Sequence, residues 1–150
     1  MTIPIDRPLL VSILKTCVGK VAYELGEKPK LTLLPKNVKR SDCSGWIRYL
    51  LAVVTHGKFR LKTLGSFLQR AEIKAAGFTR CDYHDCAKMD SILRVAFIPP
   101  AADKHGHIWL CINGQTIECW YGHGVGRRPW NTPVLLHGVA ATYVLSDVLP

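Results

Sequence analysis

The chain has 150 residues, 48% of them hydrophobic and 21% charged, with 20 Lys and Arg against 11 Asp and Glu for a formal charge of +9. That composition excludes a disordered polyelectrolyte and predicts one globular domain spanning 1–150, because it supplies enough apolar side chains for a core. The positive charge asks for an anionic partner, whether nucleic acid, a membrane surface or an acidic polymer such as a bacterial cell wall.

The N-terminal MTIPIDRPLLVSILK has neither the order nor the length of a signal peptide. No stretch reaches the roughly 20 apolar residues of a membrane span. Asp6 followed by Pro8 marks a helix start, and Leu10, Leu14, Cys17, Val21 and Leu25 then recur at helical spacing until Gly26. From Glu27 to Arg40 two prolines and five basic residues predict an exposed connection. Ser41 and Asp42 are capping residues, and Ile47, Leu50, Leu51 and Val54 define a second helix ending near His56 and Gly57. A third is expected from about Leu64 to Ala76. After residue 90 the segments SILRVAFIPP and HIWLCINGQTIECWY are rich in β-branched and aromatic residues, and Asn113-Gly114 predicts a hairpin turn. A last strand is expected around Ala141 to Leu145. Helices followed by an antiparallel sheet make an α+β domain.

Cys43 falls in the first turn of the second helix, where unpaired N–H groups and the helix dipole favour a thiolate. A buried structural cysteine would satisfy the same position. A cysteine nucleophile needs a base, and the hairpin arithmetic selects one of six histidines. With Asn113-Gly114 as a two-residue turn, 109 pairs with 118 and 107 with 120, so His107, Trp109, Glu118 and Trp120 share one face. Glu118 is diagonal to His107, about 7 Å between backbones, within side-chain reach. A carboxylate there orients an imidazole. His123 is the rival third residue, but it lies beyond the point where Gly122 and Gly124 break the strand, and its parity assigns it to the opposite face.

Asp42-Cys43-Ser44-Gly45 opening a helix, Gly106-His107-Ile108 opening a strand, and the Asn113-Gly114 hairpin leading to Thr116-Ile117-Glu118 resemble the NlpC-type peptidoglycan endopeptidases. These are papain-like cysteine peptidases related to the CHAP amidases. The resemblance spans roughly Gly19 to the C-terminus. It implies a papain-like fold with N-terminal helices packed on a C-terminal sheet. It also implies Cys43 as nucleophile, His107 as base, and Glu118 as orienting residue where the family usually has His, Asn or Gln. Tyr23, in Tyr23-Glu24-Leu25-Gly26, resembles a degenerate form of a further family motif. Tyr23, Ser44, Trp109, Arg127 and Arg128 are the candidate substrate contacts.

The implied reaction is hydrolysis of a stem-peptide amide, classically between D-glutamate and a diamino acid, without metal or cofactor. A catalytic domain without an export signal implies synthesis in the cytoplasm and delivery to the cell wall as a secreted effector or phage lytic enzyme. An effector of that kind is expected to have a cognate immunity protein. Three other readings remain open from sequence. A papain-like toxin such as a deamidase or acyltransferase would use the same residues on another substrate. A zinc site could use Cys81, His84 and Cys86 with His105, and an exported chain could instead join Cys81 to Cys86. Nucleic-acid binding through Lys28, Lys30, Lys36, Lys39 and Arg40 lacks a recognition motif, so no nucleic-acid partner is expected.

Overall fold

Asp6 caps helix α1 (Arg7–Cys17), its Oδ1 accepting from the Leu9 N–H at 3.0 Å. The computed structural model describes residues 1–146. The helix is shorter than its apolar spacing predicts. Val18 is extended and Gly19 takes a left-handed φ of +76°, so Val21 and Leu25 continue the spacing without the helix. The chain turns instead into a two-residue strand β1 (Ala22–Tyr23), which pairs in parallel with β2 (Arg40–Ser41). The connection between them is mostly exposed, although Val38 reaches the core.

Helix α2 (Cys43–Val54) follows at once. Trp46, Ile47, Tyr49, Leu50, Leu51 and Val54 are all buried, so this helix is apolar nearly all round and lies at the centre of the molecule. Fully burying each such side chain contributes about 1.5–3 kcal/mol. Helix α3 (Ser66–Ala75) lies where the third helix is predicted.

The sheet consists of β3 (Arg94–Ile98), β4 (His107–Ile112), β5 (Gln115–Trp120), β6 (Gly124–Gly126) and, after a short helix α4 (Pro133–Gly138), β7 (Ala141–Val144). Its order is β6-β5-β4-β3-β7 and every neighbouring pair is antiparallel. Asn113 and Gly114 both take positive φ, 50° and 76°, which is the geometry of a type I′ hairpin turn. Cys111 faces Thr116 and Leu110 faces Ile117. This is the register counted from sequence, and the α+β class follows with it.

Alternation divides the sheet cleanly. Val95, Phe97, Ile108, Leu110, Ile117 and Cys119 join the main core with α1 and α2. Ala96, Trp109 and Cys111 form a second, smaller core with Tyr83, Cys86 and Leu135. By parity His107 and Glu118 belong to this second face, away from α2. Cys43 at the N-terminus of α2 therefore meets them at the end of the sheet, where β4 begins.

Candidate active site

Each residue of Asp42-Cys43-Ser44-Gly45 has a separate structural reason. Asp42 is the N-cap of α2: its Oδ1 accepts from the Gly45 N–H at 2.7 Å, and its Oδ2 from the Gly26 N–H at 3.1 Å. The same carboxylate holds the Lys28 ammonium, which also donates to Ser44 Oγ at 2.7 Å. The incoming segment is thus tied to the first turn of the helix. Gly45 is required by space, since a Cβ there would lie 2.7 Å from the Glu27 carbonyl oxygen and 3.0 Å from Asp42 Oδ1. Cys43, at the first helical position, opens onto a cleft of about 390 Å³ whose walls include Tyr23, Lys28, Phe67 and Gly106.

Across the cleft, the Cys43 Sγ lies 4.0 Å from the Gly106 carbonyl oxygen. Gly106 is packed so closely that a Cβ would meet Ile98 O and Ser66 Oγ, each at 2.8 Å. That approach brings β4 to the helix terminus and presents His107, the first residue of the strand. His107 Nε2 is 2.9 Å from Glu118 Oε1. Cys43 is the other group that acts on the imidazole, and Nδ1 is the ring nitrogen left for it because Nε2 faces the carboxylate. Burial disfavours the charged imidazole, but Cys43 and Glu118 outweigh it and push the His107 pKa up from 6.5 to about 9.

Glu118 is fully buried, and three charge-assisted contacts hold it. Besides His107, Arg128 Nε donates to Oε2 at 2.9 Å and Arg128 Nη2 to Oε1 at 2.8 Å. Burial alone would raise the carboxyl pKa. His107 and Arg128 reverse this and lower it. The guanidinium also sits 4.3 Å from the centre of the Trp120 ring.

The other sequence-selected residues divide. Tyr23 lines the cleft beside Cys43 and packs edge-on against Tyr121, and burial followed by the nearby Cys43 pushes its phenol up to about 12. Ser44 also lines the cleft, with its hydroxyl engaged by Lys28 and Asp42. Trp109 is a correction. It is wholly buried, stacked on His107 at 5.4 Å with its indole N–H donating to Tyr83 Oη at 3.2 Å, so it supports the imidazole and presents no surface to the cleft. Arg127 is another: its Nε donates to the Thr116 carbonyl oxygen at 2.9 Å, and it borders a hollow near α1 rather than the cleft. Arg128 holds Glu118 and borders a second hollow beside His107. His123 does not take the opposite face. Gly122 and Gly124 have φ of 80° and 91°, so the chain turns back and His123 stacks on Trp120 at 4.0 Å, with no contact to His107.

Cys81, Cys86 and the other cysteines are free thiols. Among the described residues no group of three or more His, Cys, Asp or Glu side chains converges as a metal would need. His84 instead pairs with Asp82 at 3.0 Å and packs against Trp130. No helix among the described residues is long and apolar enough to cross a membrane. For two neighbours of the site the sequence reading named the residue but not its role. Lys28 looked like one cation of a basic loop, and nothing local shows that it reaches Asp42. Arg128 gives a signal only once a buried glutamate is known to need a cation.

No family profile and no curated protein sequence matches this chain. Solved structures do. An NlpC/P60 family protein from Bacillus cereus superposes with a TM-score of 0.59 at 18% identity, covering 94% of this chain and 39% of that one. The P60 domain of an antigen from Mycobacterium avium subspecies paratuberculosis gives 0.52 at 19%, covering 97% of this chain and 98% of the other. The peptidoglycan hydrolase RipB of Mycobacterium tuberculosis gives 0.54 at 20%, covering 97% and 67%. The chain spans about two fifths of the Bacillus protein's length. It has the NlpC/P60 fold, as the three sequence motifs implied.

Proposed function

We propose that this chain is a cysteine hydrolase of peptidoglycan, with Cys43 as nucleophile, His107 as general acid and base, and Glu118 as orienting carboxylate. The observation that carries the reading is the Cys43 thiol at the N-terminus of α2, 4.0 Å from the Gly106 carbonyl oxygen and so beside His107, whose Nε2 is 2.9 Å from Glu118 Oε1. A neutral thiol is a weak nucleophile, and the imidazolium that Glu118 favours is the electrostatic partner of the thiolate form. Attack on an amide carbonyl gives an oxyanion, which backbone N–H groups in the first turn of α2, that of Cys43 first, are oriented to accept. His107 then protonates the leaving amine, and water, activated by the same imidazole, releases the acyl group. Glu118 fixes the ring so that Nδ1 faces sulfur throughout.

The substrate class is supported by the fold shared with RipB, a peptidoglycan hydrolase. Within that class we take the D-glutamate–diamino acid amide as the bond, and Tyr23 and Ser44 as groups that touch the stem peptide. The place of action is then the cell wall, with residues 1–150 acting as one catalytic unit. The test is incubation of wild type, Cys43→Ala and His107→Ala with purified sacculi, followed by mass spectrometry of released fragments. Wild type should release stem-peptide fragments, Cys43→Ala none, and His107→Ala at least about 10²-fold fewer. Undiminished release by Cys43→Ala, or none from folded wild type, would overturn the proposal.

A further inference from the structure

Helix α3 is inside out. Its inward residues are Gln69 and Ile73, with Gln69 Nε2 donating to the Ser44 and Thr63 carbonyl oxygens at 3.2 and 3.1 Å. Its solvent side carries Phe67 and Leu68, 61% and 55% exposed, and Leu64 just before it is 54% exposed. Ala71 and Ala75 continue that side. Contiguous exposed apolar side chains of this size mark a contact surface rather than ordinary solvent-facing positions. They are also the outer lip of the cleft that holds Cys43, and Leu25, 58% exposed, stands on the other lip.

The free charge along the α3 segment itself is of one sign. Lys62 and Lys74 are exposed and Arg70 half-buried. The one acid between residues 58 and 75 is Glu72. Its carboxylate is consumed internally, accepting from the Lys62 N–H at 2.8 Å, the Thr63 N–H at 3.0 Å and the Thr63 hydroxyl at 2.8 Å. Large apolar residues flanked by cations on the exposed side of a helix have the composition of a segment that lies in a bilayer interface. A second copy of this chain would instead set cations against cations, on a protein already at +9.

We infer that the α3 lip docks on an anionic phospholipid bilayer, with Leu64, Phe67 and Leu68 entering the headgroup–acyl boundary and Lys62, Arg70 and Lys74 lying against lipid phosphates. The mouth of the Cys43 cleft then faces the headgroups, and a substrate anchored in that bilayer reaches the thiol without leaving it. The inference rests on the exposed face of α3 and stands whatever bond Cys43 attacks.

Sedimentation of the full chain with vesicles tests it. Wild type should bind phosphatidylglycerol–phosphatidylethanolamine vesicles, release from them as salt rises, and ignore phosphatidylcholine. Lys62→Gln and Lys74→Gln should each weaken binding about fivefold, and Phe67→Ser with Leu68→Ser about tenfold or more. These side chains are exposed, so circular dichroism should show all variants folded. Cys43→Ala should bind vesicles as wild type does, which separates this result from any outcome with sacculi. Absence of binding to anionic vesicles, equal binding to phosphatidylcholine, or a Ser double variant that binds like wild type would each overturn the inference. A concentration-dependent dimer lost in the Ser double variant, without vesicle binding, would assign the lip to a second copy.

Discussion

Replacing Glu118 by Gln keeps the size and the hydrogen-bonding oxygen of the side chain but removes the charge behind the imidazole. His107 is raised from 6.5 to about 9, against the opposing effect of its burial, and the two groups that raise it are Cys43 and Glu118. At about 1.36 kcal/mol per pH unit the net gain is about 3 kcal/mol, so loss of one of the two sources removes ~1–2 kcal/mol. The His107 titration should then move down by about one pH unit. Two assays read it: the imidazole resonances of His107 followed by NMR, and the pH profile of fragment release from sacculi. In wild type the basic limb should lie near 9, and in Glu118→Gln nearer 8, with reduced but measurable activity. A His107 that titrates at the same pH in both proteins would refute the argument that Glu118 stabilises the imidazolium.

Arg128→Ala should destabilise the fold by ~3 kcal/mol, because it leaves a fully buried carboxylate with His107 as its one charged partner, and a thermal melt should fall by about 6–12 °C. Arg128→Lys, which keeps charge but not the two-nitrogen fork, should fall between the two. Gly45→Ala should cost about 1–3 kcal/mol in urea unfolding, since its Cβ collides with the Glu27 carbonyl and the Asp42 cap. A raised histidine pKa contributes stability in full below the unfolded value of 6.5 and loses it as pH rises through about 9. Wild type should therefore lose up to about 3 kcal/mol across that window, and His107→Gln much less.

What was legible in the sequence was local. A capping Asp42 before an apolar helix places Cys43 at a helix terminus, and a two-residue turn sets the register seen at Leu110–Ile117, Cys111–Thr116 and Ile112–Gln115, which puts His107 and Glu118 on one face. The misses share one cause, which is that parity and periodicity describe a chain that keeps its direction. Val21 and Leu25 keep helical spacing after Gly19 has turned the backbone away. His123 has the wrong parity only if β5 runs straight on through Gly122, and two left-handed glycines fold its ring back onto Trp120. Trp109 has the right parity for the site, yet Tyr83, Trp130 and α4 cover that face of the sheet, a packing partnership between distant segments that no local pattern reveals.

A glutamate at 118, where the resemblance implies a His, Asn or Gln, changes what the surroundings must supply. A neutral third residue can be buried at the cost of its hydrogen bonds alone, whereas a carboxylate in the same place needs a positive charge whenever the imidazole is neutral. Arg128 is that charge, and its position follows from the β5–β6 turn. Glu118 pairs with Gly126, and two residues further along Arg128 returns to the same face, its N–H taken by Thr116 Oγ1 at 2.9 Å. Trp120 then closes the guanidinium from one side and His123 stacks on the indole. Gly126 is part of the arrangement, since a Cβ there would lie 2.9 Å from the His123 Nδ1. The segment from Trp120 to Arg128 thus serves His107 indirectly. It delivers one guanidinium to one buried carboxylate, and that pairing keeps Glu118 ionised on both sides of the proton transfer at His107.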